Sequence, residues 1–162
     1  MRTAIITSSD SGYAGEREDV SGPVIASIMS EAGYEVVSLI VLPDDREMLE
    51  EEMKAVCDED RADLLLTTGG TGFSPRDVMP EATAAVSERM VPGIPEAMRY
   101  YSLQITPRAM LSRAAAGIRK RTLIVNLPGS PKAALENLEP VLAPIGHGLK
   151  MLREGPQDCA SL

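Results

Sequence analysis

Aromatic side chains are scarce in this chain of 162 residues. It has no tryptophan, one phenylalanine and four tyrosines, and aromatic residues make up only 3% of the total, although apolar residues account for 44%. The core must therefore be built from aliphatic side chains and methionine. The nine methionines are explained more simply as core filling than as metal ligands. The length is that of one domain, and we expect residues 1–162 to form it.

Positive charge is also in short supply. Sixteen Lys and Arg residues stand against 24 Asp and Glu residues, which gives a formal net charge of −8. A nucleic-acid-binding domain needs a basic face to neutralise phosphates, so this balance argues against nucleic acid as a partner. It leaves a small anionic ligand open, because such a ligand needs only local positive groups or a bound cation.

Long apolar runs, signal-peptide features and paired cysteines are missing as well. No run approaches the roughly 20 residues that a membrane helix requires, and the N-terminus lacks a signal-peptide layout. Cys57 and Cys159 lie far apart and outside any metal-binding spacing, so we expect two free thiols, no membrane partner and a cytoplasmic location. The single histidine, His147, argues against a hydrolytic triad and is interpreted as structural or surface-exposed.

Four short runs rich in Val, Ile and Leu predict buried strands, at residues 3–7, 36–42, 62–67 and 122–127. Apolar residues at helical spacing predict helices over residues 21–33 and 48–57, from about residue 80, over residues 95–103 and after residue 130. In the last helix, Pro140 and Pro144 are expected to kink or split the chain. Strands alternating with helices predict an α/β domain with a mostly parallel sheet and helices on both faces, with the strand order left open.

Small, acidic and hydroxyl residues follow each predicted strand. Ligands of an open parallel sheet bind beyond the carboxyl ends of its strands, so these exits are the candidate site. The sharpest signal is the glycine turn, Gly69-Gly70-Thr71-Gly72, whose backbone could approach a phosphate or a polar heterocycle closely. It matches neither a P-loop nor a dinucleotide fingerprint, and an ordinary strand-to-helix turn explains it equally well.

Acidic residues stand at three of these exits, namely Asp10, Asp44 and Asp77. Each one alone could be a helix cap. Together they would make chemical sense beside an anionic substrate mainly if a divalent cation bridges them, and magnesium prefers carboxylate and phosphate oxygens. Among the basic residues, Arg113 and Lys132 are the anion-binding candidates, whereas residues 119–121 are interpreted as solvated loop charge.

Many short segments, taken in order and at this spacing, resemble one known family. They are Ser9-Asp10, Gly22-Pro23, Pro43-Asp44, residues 66–72 (LTTGGTG), Arg76-Asp77, residues 80–83 (PEAT), Pro92-Gly93, Met98-Arg99, residues 111–113 (LSR), residues 117–119 (GIR) and residues 127–133 (LPGSPKA). Over nearly its whole length the chain resembles the MogA/MoaB molybdopterin adenylyltransferases, which are similar to the G domain of gephyrin.

The resemblance implies a three-layer α/β fold, usually a homotrimer, and transfer of AMP from MgATP to the terminal phosphate of molybdopterin. ATP would be the co-substrate, Mg²⁺ the cofactor, and a molybdenum-inserting enzyme a possible recipient of the product. Asp44 and Asp77 would be the catalytic and metal-holding acids. The match also implies a set of substrate- and nucleotide-binding residues: Ser9, Asp10, Thr68, Gly69, Gly70, Thr71, Gly72, Ser112, Arg113, Pro128, Gly129, Ser130 and Lys132.

One position departs from the family pattern. The family commonly has threonine in an Arg-Asp-Val-Thr-Pro segment, and this chain has Met79 there. Methionine offers no hydroxyl for a helix cap or a ligand, so the alternative hypothesis is a non-catalytic molybdopterin-binding or scaffolding member of the same family. A third hypothesis, a nucleotide-dependent oxidoreductase, is disfavoured because GxGxxG is absent after the first strand.

Overall fold

A computed structural model describes residues 1–155, and Cys159 lies outside the described residues. Within that range six strands form one sheet. They are β1 (Arg2–Ser8), β2 (Glu35–Leu42), β3 (Leu64–Thr68), β4 (Arg89–Met90), β5 (Ala116–Arg119) and β6 (Thr122–Leu127). The order is β2-β1-β3-β6-β5-β4. The first four strands in that order run parallel, whereas β5 and β4 are each antiparallel to their neighbours.

Helices connect the strands. In the described part of the chain they are α1 (Asp10–Tyr13), α2 (Ser21–Glu31), α3 (Arg46–Asp58), α4 (Met79–Val86), α5 (Gly93–Leu103), a 3₁₀ helix (Pro107–Leu111) and α6 (Pro131–Glu154). None of the helices described is long and apolar enough to cross a membrane.

The sheet is the middle of three layers. Successive side chains of a strand point to opposite faces, and Ile5 accordingly joins a cluster with α2, α5 and α6, whereas Ile6 joins one with α3 and α4. Cys57 is a free thiol in the second cluster, and burial raises its pKa to about 11. The thiol therefore stays protonated at neutral pH. The predicted three-layer α/β fold with a mostly parallel sheet is confirmed.

The antiparallel edge of the sheet differs from the sequence prediction. The sequence does not predict β4 or β5, and residues 119–121 are not merely solvated loop charge. Arg119 ends β5 and pairs with Asp58, with Nη2 2.6 Å from Oδ2. Lys120, at φ +52°, and Arg121 form the two-residue turn into β6. The strand pairing rather than an apolar run defines this hairpin.

The expected split of the last helix is absent, because α6 runs as one helix from Pro131 to Glu154. Pro140 is half-buried and Pro144 is exposed, so both lie off the buried face of the helix. That face packs Ala134, Leu138, Val141, Ile145 and Leu149 into the core. Burial of this stripe holds the helix together although each proline lacks the N–H of one helical hydrogen bond.

Candidate active site

The exits of the four parallel strands meet at one edge of the sheet. Ser8 at the end of β1 pairs with Leu42 at the end of β2. Thr68 at the end of β3 pairs with Leu127 at the end of β6. The loops that follow these strands therefore start side by side, as the parallel sheet predicts.

Asp44 is held at this edge by the β1 exit. Its Oδ1 accepts a hydrogen bond from Ser8 Oγ at 2.5 Å, and its Oδ2 accepts one from the Asp10 backbone amide at 3.2 Å. The cap of α3 is the next residue, Asp45, whose Oδ1 accepts from Met48 N at 3.0 Å. Because Asp45 does the capping, the carboxylate of Asp44 remains directed at the strand exits.

Asp10 forms an ion pair across the edge. Arg76 donates from Nε at 3.0 Å and from Nη2 at 2.7 Å to the two carboxylate oxygens of Asp10. Hydrogen bonds from Arg76 and from the Asp44 backbone amide hold the pKa of Asp10 below its ordinary value. Asp10 thus links the β1 exit to the loop that leads into α4, and both of its oxygens are already engaged by protein donors.

Asp77 closes the loop that follows the glycine turn. Its Oδ2 accepts from Ser74 N at 2.8 Å. The residue that caps α4 is Val78, without a side-chain hydrogen bond, so Asp77 is not the helix cap. A Cβ atom placed on Gly72 would lie 2.9 Å from Asp77 Oδ2. Gly72 is therefore the residue that lets the backbone pass this carboxylate.

The glycine turn passes close to both candidate acids. Gly70 adopts φ +65°, a conformation that favours glycine, and a Cβ there would lie 3.6 Å from Asp44 Oδ1. Asp44 therefore lies against the start of the turn, and Asp77 lies against its end. The structure brings the predicted catalytic acids to one short segment of backbone.

Arg113 holds the same loop in place. Its Nε donates to Gly72 O at 2.7 Å, its Nη2 donates to Asp77 O at 2.5 Å, and its Nη1 pairs with Glu81. The other predicted cation, Lys132, is 82% exposed and lies 3.7 Å from Glu136. Arg113 thus positions the backbone that carries Asp77, and Lys132 lies at the surface of α6.

Two cavities flank the glycine turn. The larger, which we call the Ser9 pocket, has a volume of about 420 Å³. Its lining includes five of the predicted binding residues: Ser9, Thr68, Gly69, Gly129 and Ser130. Ser130 also caps α6, as predicted, with Pro131 in the first turn. The amino end of that helix therefore faces the cavity, and helix amino ends favour anions.

The second cavity, which we call the Ser112 pocket, has a volume of about 290 Å³. It is lined by four other predicted residues: Thr71, Gly72, Ser112 and Pro128. Thr68 Oγ1 donates to Pro128 O at 2.7 Å and so joins the β3 exit to the β6 exit between the cavities. Nine of the predicted residues thus line the cavities, five in the Ser9 pocket and four in the Ser112 pocket. The residues Asp10, Asp44, Gly70, Asp77, Arg113 and Lys132 do not line either pocket.

Several residues of the Ser9 pocket are absent from the sequence prediction. Asp19 lines the cavity, and its carboxylate accepts from Thr7 Oγ1 at 2.8 Å and from Gly22 N at 3.1 Å. Ser21 Oγ donates to Gly129 O at 2.7 Å. An acidic residue and a serine ahead of Gly22-Pro23 are typical of the start of a helix. The sequence therefore indicates the helix start but does not indicate that Asp19 and Ser21 line the pocket.

Metal ligands are sparse at this edge. Across residues 1–155, no group of three or more His, Cys, Asp or Glu side chains is arranged to hold a metal ion. A cation held by Asp44 or Asp77 would therefore need oxygen atoms from substrate or water to complete its coordination, as magnesium commonly does.

Residues 4–147 match the family model described as "Probable molybdopterin binding domain". The chain is 41% identical over 159 residues to the molybdopterin adenylyltransferase of Helicobacter pylori J99, with 94% of this chain and 88% of the relative covered. It is 42% identical over 163 residues to gephyrin of Dictyostelium discoideum, covering 94% of this chain but 23% of gephyrin.

A solved structure shares both the fold and much of the sequence. The molybdopterin biosynthesis enzyme MoaB from Thermus thermophilus superposes with a TM-score of 0.89 at 44% identity. The match covers 96% of this chain and 98% of that structure. The similarity therefore extends over nearly the whole length of both chains.

Proposed function

The chain belongs to the family described as "Probable molybdopterin binding domain", and from that premise we propose that it is a molybdopterin adenylyltransferase. In this reaction an oxygen of the terminal phosphate of molybdopterin attacks the α-phosphorus of ATP. A new phosphorus–oxygen bond forms, the bond between the α- and β-phosphates breaks, and pyrophosphate leaves with the electron pair. We propose that residues 1–162 carry this activity as one domain.

The observation that carries the proposal is the position of the glycine turn between two cavities and two acids. Thr68 and Gly69 line the Ser9 pocket, whereas Thr71 and Gly72 line the Ser112 pocket. A reaction that joins two phosphate-bearing substrates needs two adjoining cavities with a shared boundary. This boundary is made of backbone that Asp44 and Asp77 contact.

Asp44 and Asp77 fit the role of magnesium ligands. Asp77 Oδ1 accepts no hydrogen bond from the described residues, so it is available to a cation. Asp44 supplies a second carboxylate beside the same turn. When bound, magnesium would neutralise phosphate charge and complete its coordination with phosphate and water oxygens.

The protein groups act by positioning rather than by nucleophilic attack. Phosphoryl-type transfer asks the protein mainly to orient its substrates and to stabilise charge. We propose that three groups do this: the amino end of α6, the backbone of the glycine turn and the hydroxyl of Ser112. We propose that Ser9 and Asp10 serve the nucleotide side, and that Asp10 does so by fixing Asp44 and Arg76.

The test is an assay with purified protein, molybdopterin and MgATP labelled at the α-phosphate. We expect labelled adenylyl-molybdopterin and pyrophosphate from the wild type. Asp77→Asn should lower kcat by about a hundredfold or more, the size of effect seen when a charge-stabilising group is removed. Binding of molybdopterin, measured by calorimetry, should change far less.

A second variant, Asp44→Asn, tests the other acid, and its matched control is Asp45→Asn at the neighbouring position. Asparagine caps helices as well as aspartate does, so the Asp45 variant should keep both stability and turnover. Asp44→Asn should lose turnover. Absence of adenylylated product from the wild type with any divalent metal would end the proposal, and normal turnover of Asp77→Asn would remove Asp77 from the catalytic residues.

Met79 is the observation behind the alternative, a non-catalytic binder. Met79 is the first residue of α4, and its side chain is fully buried in the cluster that α3 and α4 form with the sheet. A methionine offers no hydroxyl, so this position supplies none to the cavities. Its backbone amide nevertheless donates to Gly70 O at 3.1 Å and supports the turn. Molybdopterin binding without any response to MgATP in calorimetry would favour the binder over the enzyme.

The proposal extends to the cellular setting. We propose a cytoplasmic homotrimer that hands its product to a molybdenum-inserting enzyme. Exposed large apolar side chains, among them Phe73, Tyr100 and Met110, offer surface that association would bury. Light scattering of the purified protein gives the oligomeric state directly, and a monomer at all concentrations would refute the trimer.

A further inference from the structure

We propose that Arg108 and Ser102 bind a phosphate group of one of the two substrates at the Ser112 pocket. The inference deepens the proposed function and rests on it, because it concerns a substrate of that reaction. Arg108 comes from the 3₁₀ helix and Ser102 from α5, and both residues line the cavity.

Arg108 is a cation without an acidic partner. Its backbone amide donates to Thr106 Oγ1 at 3.3 Å, but its guanidinium makes no hydrogen bond or ion pair with any residue from 1 to 155. Seven other arginines do pair with carboxylates: Arg2, Arg46, Arg61, Arg76, Arg113, Arg119 and Arg153. In a chain of net charge −8, a guanidinium that stays unpaired beside a cavity is available to an anion from outside.

Ser102 provides the independent observation. The residue is only 7% exposed, and its Oγ is buried with no hydrogen-bond partner among the described residues. A buried hydroxyl without a partner has lost its hydrogen bonds to water and gained none in return, so such groups are rare in native proteins. Because Ser102 lines the same cavity as Arg108, a phosphate oxygen that enters the cavity can accept a hydrogen bond from this hydroxyl.

The surroundings suit an anion bound beside an apolar surface. Arg99 also lines the cavity, and its Nη1 donates to Ser112 O at 3.4 Å and to Ala114 O at 3.1 Å. One carboxylate, that of Glu136, lies in the lining as well, 3.7 Å from Lys132 Nζ. Two guanidiniums against one lysine-paired carboxylate leave the cavity with a net positive charge.

A phosphate group matches these donors in chemistry. A guanidinium presents a planar fork that binds two phosphate oxygens at once, and a serine hydroxyl can donate to a third. Both substrates carry phosphate: molybdopterin carries a terminal phosphate, and ATP carries a triphosphate. The KM values for the two substrates, measured separately, identify which of them brings the group.

The experiment compares Arg108→Ala, Arg108→Lys and Ser102→Ala with the matched control Arg89→Ala. Arg89 is exposed on β4, is unpaired among the described residues and lines neither pocket, so its removal changes the net charge equally. We expect Arg108→Ala to raise the KM for one substrate about tenfold with kcat little changed, as loss of one charge-assisted hydrogen bond predicts. The KM of Arg108→Lys should fall between those of the wild type and Arg108→Ala, because lysine keeps the positive charge but lacks the planar guanidinium that binds two oxygens at once.

Ser102→Ala separates binding from folding. If the hydroxyl does not bind substrate, its removal would leave the KM values unchanged, and stability would not fall because the hydroxyl has no partner among residues 1–155 to lose. We expect instead a rise of about threefold to tenfold in the same KM that Arg108→Ala raises, together with unchanged or increased thermal stability.

Unchanged KM values in both alanine variants, or equal effects of Arg89→Ala and Arg108→Ala, would overturn the inference and leave the adenylyltransferase proposal intact. If the wild type has no turnover, calorimetric titration of molybdopterin and of MgATP into the wild type and Arg108→Ala still decides the question. Tighter binding of either compound by the wild type supports the site, and equal binding of both refutes it.

Discussion

Gly70 combines a left-handed backbone with a position beside Asp44, the proposed catalytic acid, so its two roles can be separated by experiment. A non-glycine residue at φ +65° is strained by about 1–2 kcal/mol. In Gly70→Ala the new methyl group would also lie 3.3 Å from Met79 Cβ and 3.6 Å from Asp44 Oδ1. We expect a loss of stability of that size, measured by urea unfolding, and a drop in kcat of tenfold or more, in line with the sensitivity of catalysis to small displacements (about 10²-fold for 1 Å).

Gly33→Ala is the matched control for Gly70→Ala. Gly33 follows α2 at φ +83°, and a Cβ there would meet no atom within 4 Å. The two variants should therefore lose similar stability, while only Gly70→Ala loses turnover. Equal turnover in both variants would show that the contact between the glycine turn and Asp44 does not matter for the reaction.

Individual site residues were predictable to different degrees. The placement of Asp44 and Asp77 beside the same turn could be predicted, because each lies in a loop that follows an exit of the parallel strands. Their catalytic role stays a prediction. Arg113 was predicted to bind an anion. In the structure its guanidinium donates to the backbone carbonyls of Gly72 and Asp77. A sequence does not distinguish these two roles, because carbonyl and phosphate oxygens both accept hydrogen bonds from a guanidinium. Ser102 and Arg108 could not be predicted, since a missing partner becomes visible only when the surrounding chain is in place.

At the scale of secondary-structure elements, the buried parallel strands could be predicted and the antiparallel edge could not. β1, β2, β3 and β6 are dense runs of branched aliphatic residues. β5 is the segment AGIR and β4 has two residues, so neither carries an apolar pattern. The turn between β5 and β6 uses Lys120 at φ +52° in place of the Asn-Gly or Asp-Gly pair that normally marks such hairpins.

Asn126 joins three elements and gives a prediction at their scale. It is fully buried on β6; its Nδ2 donates to Thr67 Oγ1 of β3 at 3.0 Å and to Thr83 Oγ1 of α4 at 2.7 Å. Its Oδ1 accepts from Ala115 N at 3.1 Å. Asn126→Ala would leave these groups without partners, and we expect it to lower the free energy of unfolding by roughly 2–4 kcal/mol.

The control for Asn126→Ala is Asn137→Ala. Asn137 is also buried, but its one described hydrogen bond runs from Nδ2 to Ala133 O within the same helix, at 2.7 Å. Its removal should cost about 1 kcal/mol. Urea unfolding of both variants makes the comparison, and a similar loss in the two would mean that Asn126 does not link the sheet to α4.

At the scale of the whole molecule, a network of ion pairs fastens the amino ends of the parallel strands, opposite the edge that carries the proposed active site. Asp63 Oδ2 accepts from the Arg2 backbone amide at 2.7 Å, and its Oδ1 lies 2.9 Å from Arg2 Nη2 and 2.8 Å from Arg153 Nη2. Arg153 also pairs with Asp60, with Nη1 2.5 Å from Oδ1. The network therefore ties the end of α6 to the start of β1.

The carboxylates of this network titrate below their ordinary range. Burial disfavours the charged form of Asp63, but hydrogen bonds from Arg2 and the charge of Arg153 outweigh it and hold the pKa below the usual 3.8. The Arg153 hydrogen bond likewise lowers the pKa of Asp60. A carboxyl with a lower pKa in the folded state than in the unfolded chain stabilises the fold above about pH 4, and this contribution is lost as the pH falls through and below the usual value.

Asp63→Asn therefore tests whether the network sets the acid stability of the molecule. Asparagine keeps an acceptor for the Arg2 amide but removes the negative charge that Arg2 and Arg153 share at this position, so that Asp60 is their remaining carboxylate partner. We therefore expect stability at pH 7 to fall by about 2 kcal/mol. Because the variant has no carboxyl to protonate at this position, its stability should decline less than that of the wild type between pH 5 and pH 3. The free energies of unfolding of the two proteins, measured with urea, should accordingly converge at low pH.

The control is Glu139→Gln, which removes an exposed carboxylate without an ion pair among residues 1–155. Its free energy of unfolding should differ from that of the wild type by a constant amount at every pH. A constant difference between Asp63→Asn and wild type from pH 7 to pH 3 would show that packing at this position, rather than its charge, holds α6 to the sheet.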